Sequence, residues 1–286
     1  MRRAHPERAL EKAVAERVAA SRGEVLVAAI SGGPDSAALA ALLAQSAAAA
    51  GATLGLVHVN HGVRPTAGRD EGVVLALAAL LGTPVVVRTL AAGSRSEARL
   101  RSARYAQLAD AARSLGARRV FAAHHAEDQT ETVLMALFRG TGPAGVAGMP
   151  ETRRLAAGVR LVRPLLAVTR AELITYCRLQ RLPHALDPSN DDLAFRRNAL
   201  RVALAELRHV FPGLDAAVAR SAAIAQDDLS GDARGAMRRR LREELVAATG
   251  QVRDMTYERL DSLARALEGG RTGRHFVRSG LEVTIS

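Results

Sequence analysis

The chain has 286 residues, 48% of them hydrophobic, which is enough for a sizeable buried core and excludes global disorder. Its formal net charge is +11, and 39 of its 40 cationic side chains are arginine, Lys12 being the exception, so a polyanionic partner is favoured. One cysteine, Cys177, excludes an internal disulfide and a cysteine-rich metal site, and the absence of a signal-like or membrane-length apolar run predicts a cytoplasmic protein with no membrane partner.

The first half alternates strand and helix. Residues 24–30 (EVLVAAI) have strand length and apolarity, and a glycine turn leads into an alanine- and leucine-rich helix over 36–50. The same pattern recurs as a strand at 53–60 and a helix at 67–81, then a strand at 84–90 and a helix at 96–115. A strand at 118–124 and a helix at 128–138 complete it. Parallel β-α-β units in a doubly wound α/β sheet follow from this order. Four glycines in residues 140–148 predict a flexible loop, followed by a hairpin involving 161–165, a helix over 169–180 and a turn at 187–190. From about Phe211 the reading is helical and arginine-rich, with the run Arg238-Arg239-Arg240. Residues 1–210 are therefore expected to form a catalytic domain, and 211–286 a smaller, mostly helical, basic one. Residues 281–286 (LEVTIS) read as an opening strand. With five Phe, three Tyr and no Trp, the chain is poorly supplied for a base-stacking platform, and folded RNA held through its phosphates suits it better.

The strongest motif is Ser31-Gly32-Gly33-Pro34-Asp35-Ser36, between the first strand and its helix. Glycines allow a sharp turn and close anion approach, the helix start offers N–H groups, Ser31 and Ser36 add hydroxyls, and Asp35 can hold Mg2+ against phosphates. An ordinary capped turn needs one glycine and no such collection of donors. The loop is neither a Walker A loop, since the only lysine is Lys12, nor a GxGxxG fingerprint.

Ligands of open α/β sheets bind at the carboxyl ends of strands where the order reverses, and a 3-2-1-4 order sets the first and fourth strands side by side. The fourth ends in His124-His125-Ala126-Glu127-Asp128-Gln129-Thr130-Glu131-Thr132, with Asp128 and Glu131 on one helical face. A zinc site is disfavoured, because adjacent histidines point apart and no HExxH spacing occurs. At the second strand end His58 and Asn60 share a face, with His61 and Arg64 beyond. A lone His58 would read as a satisfied core histidine, whereas a cluster at a third strand end favours a shared pocket. Arg99, Arg101 and Arg104 precede Tyr105. Arginines at helical spacing usually form a solvated face, but Arg101 and Arg104 are candidates to reach phosphates.

SGGPDS resembles the pyrophosphate loop of the ATP-pyrophosphatase superfamily. Together with HVNHGVR at 58–64, EARLRSARY at 97–105, HHAEDQTET at 124–132, RGTGPAGVAGMP at 139–150, RPLL at 163–166 and DPSN…FRRNALR at 187–201, the chain resembles the tRNA(Ile)-lysidine synthetase family across residues 22–212. Two positions depart from the family pattern: Asn60 and Glu127 each stand where Asp is usual. The resemblance implies the PP-loop ATPase fold of the adenine nucleotide α-hydrolase kind, with ATP and Mg2+ as cofactors and L-lysine and a tRNA(Ile) with a CAU anticodon as partners. A homodimer is compatible with it.

By the same resemblance, residues 31–36, His58, Arg101 and Arg197 would bind the nucleotide, and Asp35 and Asp128 the metal. Asp35, Arg104, Asp128 and Glu131 would serve catalysis. Asp128, Glu131, Asn198 and Arg201 would meet lysine or tRNA. Rival readings are a tRNA thiolase, which needs more cysteines, an NAD synthetase, which needs no basic tail, and a non-catalytic nucleotide-binding module, which leaves the carboxylates and arginines unexplained.

Overall fold

The computed structural model describes residues 6–60, 67–90, 97–185, 196–229, 231, 233–249, 257–270, 272–278 and 281–285. His61, Arg64 and the turn at 187–190 lie outside these. In chain order the elements are α1 (Pro6–Val18), β1 (Val25–Ile30), α2 (Pro34–Ala50), β2 (Thr53–Asn60), α3 (Ala67–Leu81), β3 (Val85–Thr89), α4 (Glu97–Ser114), β4 (Arg119–Phe121), α5 (Ala126–Leu137), α6 (Gly142–Val146), β5 (Thr152–Ala156), β6 (Val159–Val162), α7 (Arg170–Leu179), α8 (Arg196–Val210), α9 (Leu214–Leu229), α10 (Ala233–Thr249), α11 (Tyr257–Glu268), β7 (Gly273–Arg278) and β8 (Leu281–Ile285).

The sheet order is β3-β2-β1-β4-β6-β5. β1 lies between β2 and β4, all parallel, and β6 extends the parallel set while pairing antiparallel with β5. The expected doubly wound α/β sheet is therefore present, with the chain reversing direction across the sheet between β1 and β4. β1 alternates its side chains between two cores. Leu26, Ala28 and Ile30 pack with residues of α1, α2, α3 and α7, such as Leu10, Leu43, Val74 and Leu173. Val27 packs on the other face with Val57, Val120 and Leu161, beneath Leu108, Ala111 and Ala112 of α4. Each fully buried leucine contributes about 1.5–3 kcal/mol, so both faces are firmly covered.

Several boundaries differ from the sequence reading. α2 begins at Pro34, inside the glycine motif, because proline at the first helical position forfeits no intrahelical hydrogen bond. α5 begins at Ala126, which puts Glu127 and Asp128 in its first turn. The glycine-rich stretch contains the short helix α6. Gly145 is required there, since a Cβ would fall 1.8 Å from Thr141 Oγ1 and 2.9 Å from Ala136 Cβ. α1 and α8 are additional helices, the first burying Leu10, Val14 and Val18 at four-residue spacing.

Two compact units result, one of Met1–Thr132 with Met149–Ala219 and the other of Val133–Gly148 with Arg220–Ser286. The second has its own core of Leu241, Leu245, Leu260, Leu263 and Ala264, and includes the antiparallel β7–β8 pair as well as helices. No helix among the described residues is long and apolar enough to cross a membrane.

Candidate active site

The glycine loop connects β1 to α2 and is closed upon itself. The Ser36 hydroxyl donates to Gly33 O at 2.9 Å, accepts from Ser31 N at 3.2 Å and lies 3.1 Å from Ser31 Oγ. Gly32 has φ +91°, a backbone conformation that residues with a Cβ rarely adopt, so glycine is needed for the turn. Gly33 is the N-cap of α2, yet no side chain caps that helix. Its first-turn N–H groups and positive dipole end are thus available to an anion.

Beside this anion-seeking end stands a cluster of acids. His125 is buried, with Nδ1 2.9 Å from Glu127 Oε2 and Nε2 3.5 Å from Asp128 Oδ2 and 3.8 Å from Asp35 Oδ2. Burial alone would lower the His125 pKa, but Glu127, Asp128 and Asp35 outweigh it and raise it above the ordinary 6.5. The longer side chain at position 127 also accepts from Arg170 N at 3.0 Å and so ties the start of α7 to the site.

Asp35 is the exception among these carboxylates. Its desolvation, with Asp128 and Glu127 nearby, raises its pKa against the opposing pull of His125 and Arg170. Its Oδ1 is buried without a hydrogen-bond partner, and its Oδ2 is only loosely approached, by Arg170 Nε at 3.7 Å. Asp128 moves the other way. Burial opposes its ionisation, but His125, His124 and Arg197 hold it below the ordinary carboxylate range.

α8 closes the anionic side. Glu131 is 1% exposed and accepts from Arg197 Nε and Arg201 Nε, each at 2.5 Å, one on each carboxylate oxygen. The same two arginines stand 3.5 and 3.6 Å from Asp128 Oδ1. Asn198 is half-buried on the same helix.

On the other side of β4 the character reverses. His124 sits near Arg163, Arg104 and Arg101, and burial first and then these cations push its pKa well below 6.5, against the pull of Asp128. The two adjacent histidines therefore sample opposite environments, His125 among acids and His124 among arginines.

The sequence-predicted residues at 31–36, with Asp128, Glu131, Arg197 and Arg201, gather on the acidic side, while Arg101 and Arg104 lie on the basic one. His58 is buried, with Nδ1 2.8 Å from Ile30 O, at the β1–β2 register pair that ends at the loop. Sequence reading missed Arg170, Arg153 and the role of Tyr105. Arg163 was within reach as the head of RPLL, but Arg170 and Arg153 carried no local signal.

The expectation of a basic C-terminal region needs correction. Residues 211–286 hold 12 arginines against 11 acids, a net of +1, whereas residues 1–210 carry +10. The arginine run is engaged internally. Arg238 is buried between Asp227 at 2.9 Å and Asp261 at 2.5 Å, Arg239 stands 3.7 Å from Asp228, and Arg240 pairs with Glu244 at 2.8 Å.

Among the described residues no group of three or more His, Cys, Asp or Glu side chains is arranged to hold a metal ion by itself. The donor set does fit Mg2+, which is commonly bound through one or two carboxylates plus substrate phosphates and water. The unpartnered Asp35 Oδ1 beside the uncapped α2 is such a carboxylate oxygen.

A glycine-rich, uncapped helix start flanked by carboxylates at the β1–β4 crossover defines a nucleotide-handling α/β site, and the chain belongs to the PP-loop domain family, whose model matches residues 4–207. A tRNA(Ile)-lysidine synthase of Gloeobacter violaceus is 42% identical over 182 residues, covering 64% of this chain and 56% of that protein. One from Rhodopseudomonas palustris is 46% identical over 190 residues, covering 64% and 54%. The chain thus spans about half the length of the curated relatives it matches. Among solved structures, the U34-tRNA thiolase NcsA from Methanococcus maripaludis with its 4Fe-4S cluster aligns with TM-score 0.64 at 14% identity, over 76% of this chain and 77% of that one, which is a likeness of fold.

Proposed function

We propose that this protein is a tRNA(Ile)-lysidine synthetase. In the first step the carbon-2 oxygen of the wobble cytidine of a CAU-anticodon tRNA(Ile) attacks the α-phosphorus of ATP and pyrophosphate leaves. In the second, the neutral ε-amine of free L-lysine attacks carbon 2, AMP departs with the oxygen, and the nitrogen loses a proton to give lysidine. The adenylate converts a poor leaving oxygen into a good one.

The observation that carries this reading is the polarity of the site. An uncapped helix start receives phosphate, with a carboxylate cluster on one side and arginines on the other. The β,γ-phosphates lie on residues 31–36, and Arg101 and Arg104 offset charge developing on the α-phosphate. Asp35 and Asp128 hold Mg2+, which when bound screens phosphate charge. His58 supports the loop from β2 through Ile30. Asp128 and Glu131 receive lysine in its ammonium form, which gives one proton to solvent before the amine attacks and must exchange places with Arg197 or Arg201 on carboxylates already paired. Those arginines, with Asn198, then face the nucleotide or the anticodon loop. Residues 211–286 contact the tRNA body, with little net charge of their own.

Sulfur transfer of the thiolase kind is poorly served within these residues. Cys177 is fully buried, its Sγ donates to Pro34 O at 3.1 Å, and burial first, then Asp35, pushes the thiol up to about 11. The test is a mass measurement on tRNA(Ile) after incubation with ATP and lysine. The expected gain is one lysine less one water, lost when the wobble cytidine is replaced by uridine. An unchanged mass with an active, folded enzyme would remove the proposal.

A further inference from the structure

Four arginines converge on one phenol. The guanidinium carbons of Arg101 and Arg104 on α4 lie 5.7 and 5.6 Å from the Tyr105 ring centre, and that of Arg153 on β5 lies 4.6 Å away. The fourth, Arg163, follows β6 and is only 2% exposed. No carboxylate among the described residues pairs with any of the four, and the group that favours the Arg163 charge is Tyr105 itself. A buried guanidinium without a counter-charge is strongly disfavoured.

Three polar atoms in this cluster are buried without a well-directed hydrogen bond: Tyr105 Oη, Arg163 Nε and His124 Nδ1. Arg163 Nη1 donates to Pro150 O at 2.7 Å, which fixes the guanidinium while Nε stays unused. A cleft of about 640 Å³ reaches the cluster, lined by Arg101, Tyr105, Asp110, Arg113, Arg153 and Leu155. Asp110 is engaged by Arg113, so the positive charge of Arg101 and Arg153 is left facing the opening.

We propose that Tyr105, Arg153 and Arg163, together with Arg101, form a phosphate-binding site entered from the cleft between α4 and β5. Guanidinium forks and a phenolic hydroxyl match the several acceptor oxygens of a phosphate better than they match a single-point anion. The phosphate belongs either to the reacting nucleotide, extending the role of Arg101 and Arg104 inward, or to the RNA backbone. The site itself stands on the arginines. Only the choice of these two sources rests on the lysidine reading.

The site contains its own reporter. Burial would raise the Tyr105 pKa, but Arg101, Arg104 and Arg163, with Arg153, lower it to about 8. A bound phosphate neutralises those cations, so the phenolate takes a proton back from solvent and its hydroxyl becomes a donor to the phosphate. The chain has no tryptophan and three tyrosines, and burial pushes Tyr176 up to about 12. Tyrosinate absorbance at about pH 9, below the ordinary phenol value, is therefore a direct signal, and Tyr105→Phe identifies its source.

The full chain is titrated at constant ionic strength with AMP, with a short single-stranded RNA lacking a terminal phosphate, and with adenosine. AMP or the RNA should suppress the tyrosinate band while adenosine does not. AMP alone assigns the nucleotide and RNA alone the backbone. Arg153→Gln, on a half-exposed strand position, should keep the far-ultraviolet circular dichroism and raise the required concentration about tenfold. The site is refuted if neither phosphate-bearing probe suppresses the band, if Arg153→Gln responds like the parent, or if Tyr105→Phe retains the band. Suppression in a protein that forms no lysidine would sink the reaction proposed above and leave this site standing.

Discussion

Glu131→Gln removes one charge from the most deeply buried carboxylate of the site while keeping its shape. In the parent protein each carboxylate oxygen accepts from one arginine, Arg197 or Arg201, at 2.5 Å. Glutamine retains one acceptor and turns an amide donor toward the other guanidinium, so one charge-assisted hydrogen bond is lost and one contact becomes repulsive. Breaking a buried pair outright costs about 3–5 kcal/mol, and a hydrogen bond to a charged group is worth about 1.5–3 kcal/mol. Because the Arg197 and Arg201 side chains are 23% and 36% exposed and can turn to water, the expected loss of folding stability is about 2 kcal/mol. Lysine loses the same charge partner, so its half-saturation should rise roughly tenfold or more, while adenylation changes little. Single-turnover assays with labelled tRNA separate the two steps. They should show an adenylate that accumulates and resolves only at high lysine. Loss of adenylation that no lysine concentration restores would place Glu131 behind Arg197 and Arg201 rather than at lysine, and would refute the assignment.

Asp35→Ala should abolish pyrophosphate release without lowering the unfolding midpoint, since Asp35 Oδ1 has no hydrogen-bond partner to lose; near-normal release from a folded variant would remove it from the chemistry. His125 has its folded pKa raised above 6.5, so its stabilisation is fully present below 6.5 and is lost as pH rises through the folded value. Urea unfolding across that range should show the parent losing stability relative to His125→Gln as pH increases, and parallel curves would contradict the charge cluster. Arg238→Ala removes a buried guanidinium from between Asp227 and Asp261, the latter keeping Arg265, and should cost about 2 kcal/mol in urea unfolding, whereas a surface arginine reserved for RNA would leave the midpoint unchanged.

The sheet was legible because β1, β2 and β3 are short apolar runs and the loop after β1 concentrates glycine, serine and acid in six residues. β4 has only three residues, Arg119–Phe121, and lies inside the stretch 118–124 that reads as the fourth strand. α8 escaped notice because its arginines read as a motif, although Leu204 buries one face. The carboxylate pair Asp128 and Glu131 could be read from helical spacing, but the arginine partners of Glu131 lie 66 and 70 positions away and come together only through tertiary folding. The same applies to Arg163 and Tyr105. The arginine run at 238–240 misled for the opposite reason: Asp227, Asp228 and Asp261, distant in sequence, neutralise what looks locally like an RNA-binding patch.

The most direct test of adenylation on RNA is pyrophosphate release measured with ATP, lysine and tRNA(Ile) separately and together. Release is expected with ATP and tRNA, with continued turnover when lysine is added, and none with ATP and lysine alone. Release that proceeds equally without tRNA would contradict it.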